Sequence, residues 1–181
     1  MWSASRRALA TLLCAGACLT AAACGFEPVY GDNRGGETRA ELQGVRVALI
    51  PNRAGQVLRR HILDRIHAGD DDNAPALYQL EINLAETRQF YGIQRDQTAT
   101  YARATVTGYY VLRDIKAQKI VTSGTASAYS SYNIAADPFN SIVAENDARE
   151  RAVHSLGDDV IARIALYLRN PTPPPTAATT P

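Results

Sequence analysis

The chain has little sulfur, and all of it lies at one end. Its three cysteines are Cys14, Cys18 and Cys24, and its single methionine is Met1. No disulfide can form downstream of Cys24, so a domain built there has to be held by packing. Long apolar runs are missing too. Beyond the N-terminal stretch no segment reaches the roughly 20 apolar residues that cross a bilayer. Histidine is confined to His61, His67 and His154. None of these stands in the H-x-x-x-H or H-E-x-x-H spacing of a metal site, which leaves them as helix-surface residues. The chain has no G-x-S-x-G elbow, no phosphate-cradling glycine loop and no nucleophilic cysteine in its body, which argues against an enzyme. The acidic run Asp70 to Asp72 lacks the spaced ligands and distal Glu of a calcium loop and reads as a solvated turn. Neither sign of charge is in excess. Nineteen Lys and Arg against 18 Asp and Glu give +1, a balance that does not draw nucleic acid.

What is present begins with an export signal. Arg6 and Arg7 form a positive n-region, Ala8 to Thr20 is apolar or small throughout, and Ala21, Ala22 and Ala23 lead directly into Cys24. This arrangement resembles the lipobox of bacterial lipoproteins, with Ala21 where leucine is usual. The resemblance implies that residues 1–23 are removed and that Cys24 becomes a lipid-carrying N-terminus, a covalent lipid being the one non-protein group expected. Choosing Cys14 or Cys18 instead would leave too short an apolar run. The alternative is an ordinary signal peptide cut after Ala23, leaving Cys24 free. A lone thiol in an oxidising compartment weighs against that.

Residues 24–44 are rich in Gly, Asp, Asn and Arg with no apolar period and read as a tether. Val45 to Ile50 reads as a strand ended by Pro51. Asn52 is placed to cap a helix over Arg53 to Ala68, where Leu58, Ile62 and Ile66 recur at four-residue steps. Three strands of period two follow. Tyr78, Leu80, Ile82 and Leu84 share one face of the first, against Gln79, Glu81, Asn83 and Thr87. In the second, Ala102, Ala104, Val106, Tyr110 and Leu112 oppose Tyr101, Arg103, Thr105, Thr107 and Tyr109. A turn over Asp114 to Gln118 leads to the third, Lys119 to about Ser131, with Ile120, Ala126 and Ala128 opposite Ser123, Thr125, Ser127 and Tyr129. A helix from about Ile142 to Arg169 carries Val153, Leu156, Val160, Ile164 and Leu168 on one stripe, with Gly157 a weak point inside it. Residues 170–181 are Pro- and Thr-rich and read as a disordered tail.

The order β-α-β-β-β-α predicts an α+β two-layer sandwich, with two amphipathic helices on one face of a four-stranded sheet. The other face is wet and exposes threonine, serine and tyrosine. An antiparallel sheet tolerates such a face, and tyrosine also suits it to contact.

Cys24, Gly25, Phe26, Pro28, Val29, Tyr30 and Gly31 form a C-G-F-x-P-V-Y-G start. With the S-Y-N and D-P-F-N-S passage from Ser131 to Ser141, this chain resembles the alphaproteobacterial type of the LptE family of lipopolysaccharide-assembly lipoproteins. The resemblance covers nearly the whole chain after the signal. It implies a lipid-anchored protein on the periplasmic face of the outer membrane that plugs the LptD barrel and helps lipopolysaccharide reach the cell surface. Arg88, Arg95 and Arg103 near one strand connection, and Arg113, Lys116 and Lys119 around the next, have the chemistry to meet lipopolysaccharide phosphates. They also read as ordinary exposed charges. The alternative function is a lipoprotein binding module of another envelope lipid-transport or secretion machine, for which an apolar pocket is expected. Mass spectrometry of the mature N-terminus should find lipid on Cys24. Cys24→Ala should leave the chain uncleaved by the lipoprotein peptidase or free in the periplasm, and an unmodified Cys24 would refute the anchor.

Overall fold

A computed structural model describes residues 40–67, 75–93, 99–135 and 137–171. Cys24 and its motif, Asp70 to Asp72, Arg95 and nearly all of the C-terminal tail lie outside them. The elements are β1 (Val45–Val47), α1 (Asn52–Ile66), β2 (Tyr78–Ile93), β3 (Ala99–Asp114), β4 (Lys119–Asn133) and α2 (Pro138–Arg169). They form one sheet in the order β1-β2-β3-β4, with β1 parallel to β2 and the other neighbours antiparallel.

Alternation in the strands puts Leu80, Ile82, Val106 and Leu112 on one face, and there they meet Leu58 and Ile62 of α1 and Val153, Leu156, Val160 and Ile164 of α2 in one buried cluster. Both helices therefore cover the same face, and the two-layer sandwich follows. Each large aliphatic side chain so buried contributes about 1.5–3 kcal/mol by removal from water. The helix α2 starts earlier than its apolar stripe suggests. Asp137 caps it, its side chain accepting from the Phe139 N–H at 2.9 Å, and Pro138 occupies the first turn, where it needs no amide partner.

Several boundaries differ from the sequence reading. Residues 40–43 form a helical turn and Leu42 is buried, so the fold begins inside the stretch read as tether. A single leucine gives no period to detect. β1 is shorter than Val45 to Ile50: after Ala48, whose N–H still reaches Leu80 O at 2.9 Å, Leu49 swings out to 78% exposure while Ile50 turns into the core. Asn52 makes no side-chain cap; it takes a φ of 68°, a conformation asparagine tolerates better than most residues. β2 runs on to Ile93, past the Thr87 where its apolar pattern ends. Ile120 lies off the core face and is 46% exposed, because a register shift opposite Leu112 and Arg113 inserts an extra residue and sends Val121 inward instead.

Gly157 is not a weak point. A Cβ there would stand 2.8 Å from the His61 ring and 3.1 Å from a Leu58 methyl, so the glycine lets α1 cross close over α2. Leu156→Ala or Ile164→Ala should cost about 2–5 kcal/mol in denaturant unfolding, and the exposed Glu150→Ala less than about 0.5 kcal/mol. Gly157→Ala should destabilise, although alanine gains about 1 kcal/mol in a free helix. A rise in melting temperature for this variant would refute the close crossing.

Candidate functional site

Among the described residues, the fold leaves open the face of the sheet away from the helices. Register sets Thr105 beside Tyr129, Thr107 beside Ser127 and Tyr109 beside Thr125. The Thr107 and Ser127 hydroxyls are 3.2 Å apart. Tyr109 and Tyr129 are 54% and 63% exposed. This strip carries hydroxyls and phenol rings and, between Thr105 and Tyr109, no charge.

Toward the β2–β3 connection the strip ends in an aromatic cluster. The Arg103 guanidinium lies 4.3 Å from the Tyr129 ring centroid and 5.4 Å from that of Tyr91. Tyr91 in turn stacks on Tyr101 at 5.3 Å and donates its phenol proton to Gln89 at 2.6 Å. Cation–π contact of this kind contributes about 0.5–1 kcal/mol at exposed sites and fixes the plane of the arginine. Tyr91 lies beyond Thr87, where the apolar pattern of β2 stops. The alternation Thr87, Gln89, Tyr91 was the available signal.

The basic residues do not form one group. Arg88 and Arg103 lie near the β2–β3 end, whereas Arg113 pairs in register with Gln79 on one side and Ile120 on the other at the opposite end, with Lys116 and Lys119 in and after the turn. Nine residues of strand between Gln79 and Arg88 separate the two ends by about 30 Å. Arg103 points to the outer face and Arg88 to the helix face. Arg88 bonds Glu145 of α2 at 2.5 Å, and that bond holds its guanidinium pKa above the usual value. Tyr132 donates to the same carboxylate at 3.2 Å, and burial followed by the Glu145 charge pushes its phenol pKa up. Arg149 joins Glu145 to Glu86 at 2.8 Å on each side. This network fastens the first half of α2 to β2 and β4, beyond the reach of α1. Arg113 donates to Gln118 O at 3.4 Å, while Lys116 and Lys119 are exposed.

His61 and His154 sit at the seam between the helices, whereas His67 closes α1 with both ring nitrogens buried. His61 stacks on His154 with ring centroids 4.5 Å apart and bonds Asp158 at 2.9 Å. Among the described residues no three His, Cys, Asp or Glu side chains come together as metal ligands. An open groove of about 520 Å³ lies between α1 and α2, and Arg53, Gln56, Arg60, Glu86, Asn146 and Arg149 dominate its walls. It is polar, where a lipid-binding pocket is mostly apolar.

These features define an α+β domain with a wide polar sheet face and a polar groove between its two helices. The chain belongs to the LptE family, described as lipopolysaccharide-assembly, whose sequence profile matches residues 42–164. It is accordingly an outer-membrane lipoprotein, lipid-anchored on the periplasmic side, that takes part in lipopolysaccharide assembly in association with barrel protein and lipopolysaccharide, and it is not an enzyme. Among solved structures it is similar to a Caulobacter crescentus CB15 lipoprotein, at 21% identity and a TM-score of 0.62 over 76% of this chain and 99% of that one. It is also similar to a minor lipoprotein of Acinetobacter baumannii, at 16% identity and a TM-score of 0.53 over 68% and 92%. These two likenesses concern the fold. No curated protein matches the chain.

Glu145→Ala should cost about 1–2 kcal/mol by leaving Arg88, Tyr132 and Arg149 short of an acceptor. Hydrogen exchange of the Ala144 to Ala148 amides should accelerate more than that of Val160 to Ile164. Equal acceleration in both halves of α2 would show that the network is not what holds its first half.

Proposed function

We propose that the chain fills the lumen of an LptD-type barrel, helps assemble it, and stays tethered to the outer membrane through lipid on Cys24. Residues 1–23 are the discarded signal, and the segment after Cys24 is the tether, with Gly25, Phe26, Pro28, Tyr30 and Gly31 as its family motif. The observation that carries this reading is the outer sheet face. A domain that enters a barrel has to be hydrated before assembly and complementary to a polar lumen afterward, and the strip Thr105, Thr107, Tyr109, Thr125, Ser127 and Tyr129 meets both needs. The polar character of the groove between the helices argues against the alternative, a module that carries lipid in an apolar pocket.

Of the basic residues, Lys116, Lys119 and Arg113 suit lipopolysaccharide phosphates best. Lys116 and Lys119 are exposed on their hairpin and the half-buried Arg113 stands beside them, whereas Arg88 already has a carboxylate partner. Arg95 stays a candidate on the chemistry of its guanidinium alone.

Photo-crosslinkers placed at Thr107, Tyr109, Ser127 and Tyr129 in intact cells should each capture an LptD-type barrel protein, with no single position dominating. Normal outer-membrane placement with no such crosslink would shift the function to a binding module of another envelope machine. Lys116→Glu with Lys119→Glu should weaken lipopolysaccharide binding by the purified full chain while leaving barrel capture intact, and unchanged lipopolysaccharide binding would remove these residues from the site.

A further inference from the structure

The sheet has two edges, and the chain treats them differently. β1 covers only Tyr78 to Leu80 of β2. The uncovered remainder of β2 carries Glu81, Glu86 and Arg88, charges that discourage a stray strand. The β4 edge has no charged residue and no proline from Ile120 to Asn133, and among the described residues no strand pairs with it.

One hydrogen bond and the register decide which backbone groups point outward. The Ile134 N–H donates to Thr100 O at 3.0 Å, and the β3–β4 register runs without a shift from there back to Thr122. Even-numbered residues of β4 therefore bond to β3, and odd-numbered ones face away. Ser123, Thr125, Ser127, Tyr129, Ser131 and Asn133 present their N–H and C=O groups to the open edge, and all six are exposed.

That stretch is as long as a membrane-spanning barrel strand, about 9–11 residues. Its outer face is hydroxylic, like a barrel lumen, and its inner face at Gly124, Ala126 and Ala128 is small, so an added strand of alternating polar and compact residues fits beside it. A second copy of this chain fits poorly. The Arg151 side chain of α2 donates to Ser130 at 3.1 Å, so the helix flank stands over this edge. Two copies paired at the usual strand spacing of about 4.8 Å would bring two such flanks and two guanidinium groups together.

We infer that the β4 edge is a docking site for an extended, uncharged strand of the barrel partner, added to the sheet before the barrel closes. A closed barrel keeps no free edge, so the pairing belongs to assembly and ends, or shifts to a seam, once closure is complete. This rests on the barrel-plug reading above.

The test uses the full-length lipoprotein co-expressed with an LptD-type barrel, following the mature complex by pulse-chase and detergent purification. Ser127→Pro removes an outward N–H, which an edge strand tolerates, together with the hydroxyl contact to Thr107, and Thr125→Lys adds a charge to the edge. Both variants should melt within a few degrees of the parent and slow formation of the complex at least tenfold, while Ser123→Ala, which keeps its outward N–H and lies outside the hydroxyl strip, assembles normally. Normal assembly with folded Ser127→Pro or Thr125→Lys protein overturns the inference and leaves the plug reading standing. A parent protein that forms no barrel complex overturns both. A Ser127-dependent homodimer in sedimentation, with no effect on the barrel, assigns the edge to a second copy and overturns the inference as well.

Discussion

Everything in this domain hangs on one apolar seam, where Val153, Leu156, Val160 and Ile164 of α2 lie on Leu80, Ile82, Val106 and Leu112 of the sheet. No disulfide can reinforce the seam, since no cysteine follows Cys24, so its stability comes from burial and close packing. Because both helices are committed to the same face, the opposite face is left to water. The same constraint thus produces the core and the open polar face.

The seam serves only part of the length of α2. α1 meets α2 where Gly157 admits His61 and Leu58, and toward Pro138 apolar cover thins to a small cluster of Ala102, Ala104, Tyr132 and Ala148. There Glu145 and Arg149 take over, reaching down to Arg88, Tyr132 and Glu86. The helix is held by burial at one end and by partly exposed ion pairs at the other. The second kind of contact is weakened by salt, the first is not.

How much of this could be read in the sequence follows from where each pattern is local. Leu80, Ile82, Val106 and Leu112 alternate with polar neighbours, and Leu156, Val160 and Ile164 recur at helical steps, so layers and faces were legible before any coordinates. The far half of β2 was not, because its inward positions are Glu86 and Arg88, and their partners stand on a helix distant in sequence. Gly157 looks like a flaw until the second helix is seen crossing it. Tyr91, Arg103 and Tyr129 come from three strands, and only register brings them together. The inward turn of Val121 depends on one inserted residue, which composition does not mark.

The surroundings of Tyr78 have a consequence for how such a domain can move into a confined space. Its phenol pKa is raised by burial and by the nearby charges of Glu41, Asp114 and Tyr167. Those neighbours belong to the first turn of the described chain, the end of β3 and the last turns of α2, so the start and finish of the fold meet at one pole. The opposite pole is formed by the far ends of β2, β3 and β4 and the start of α2, away from both ends of the described chain. A body of this topology can enter a ring by that pole first, with Ala40 and Asn170 left at the trailing end.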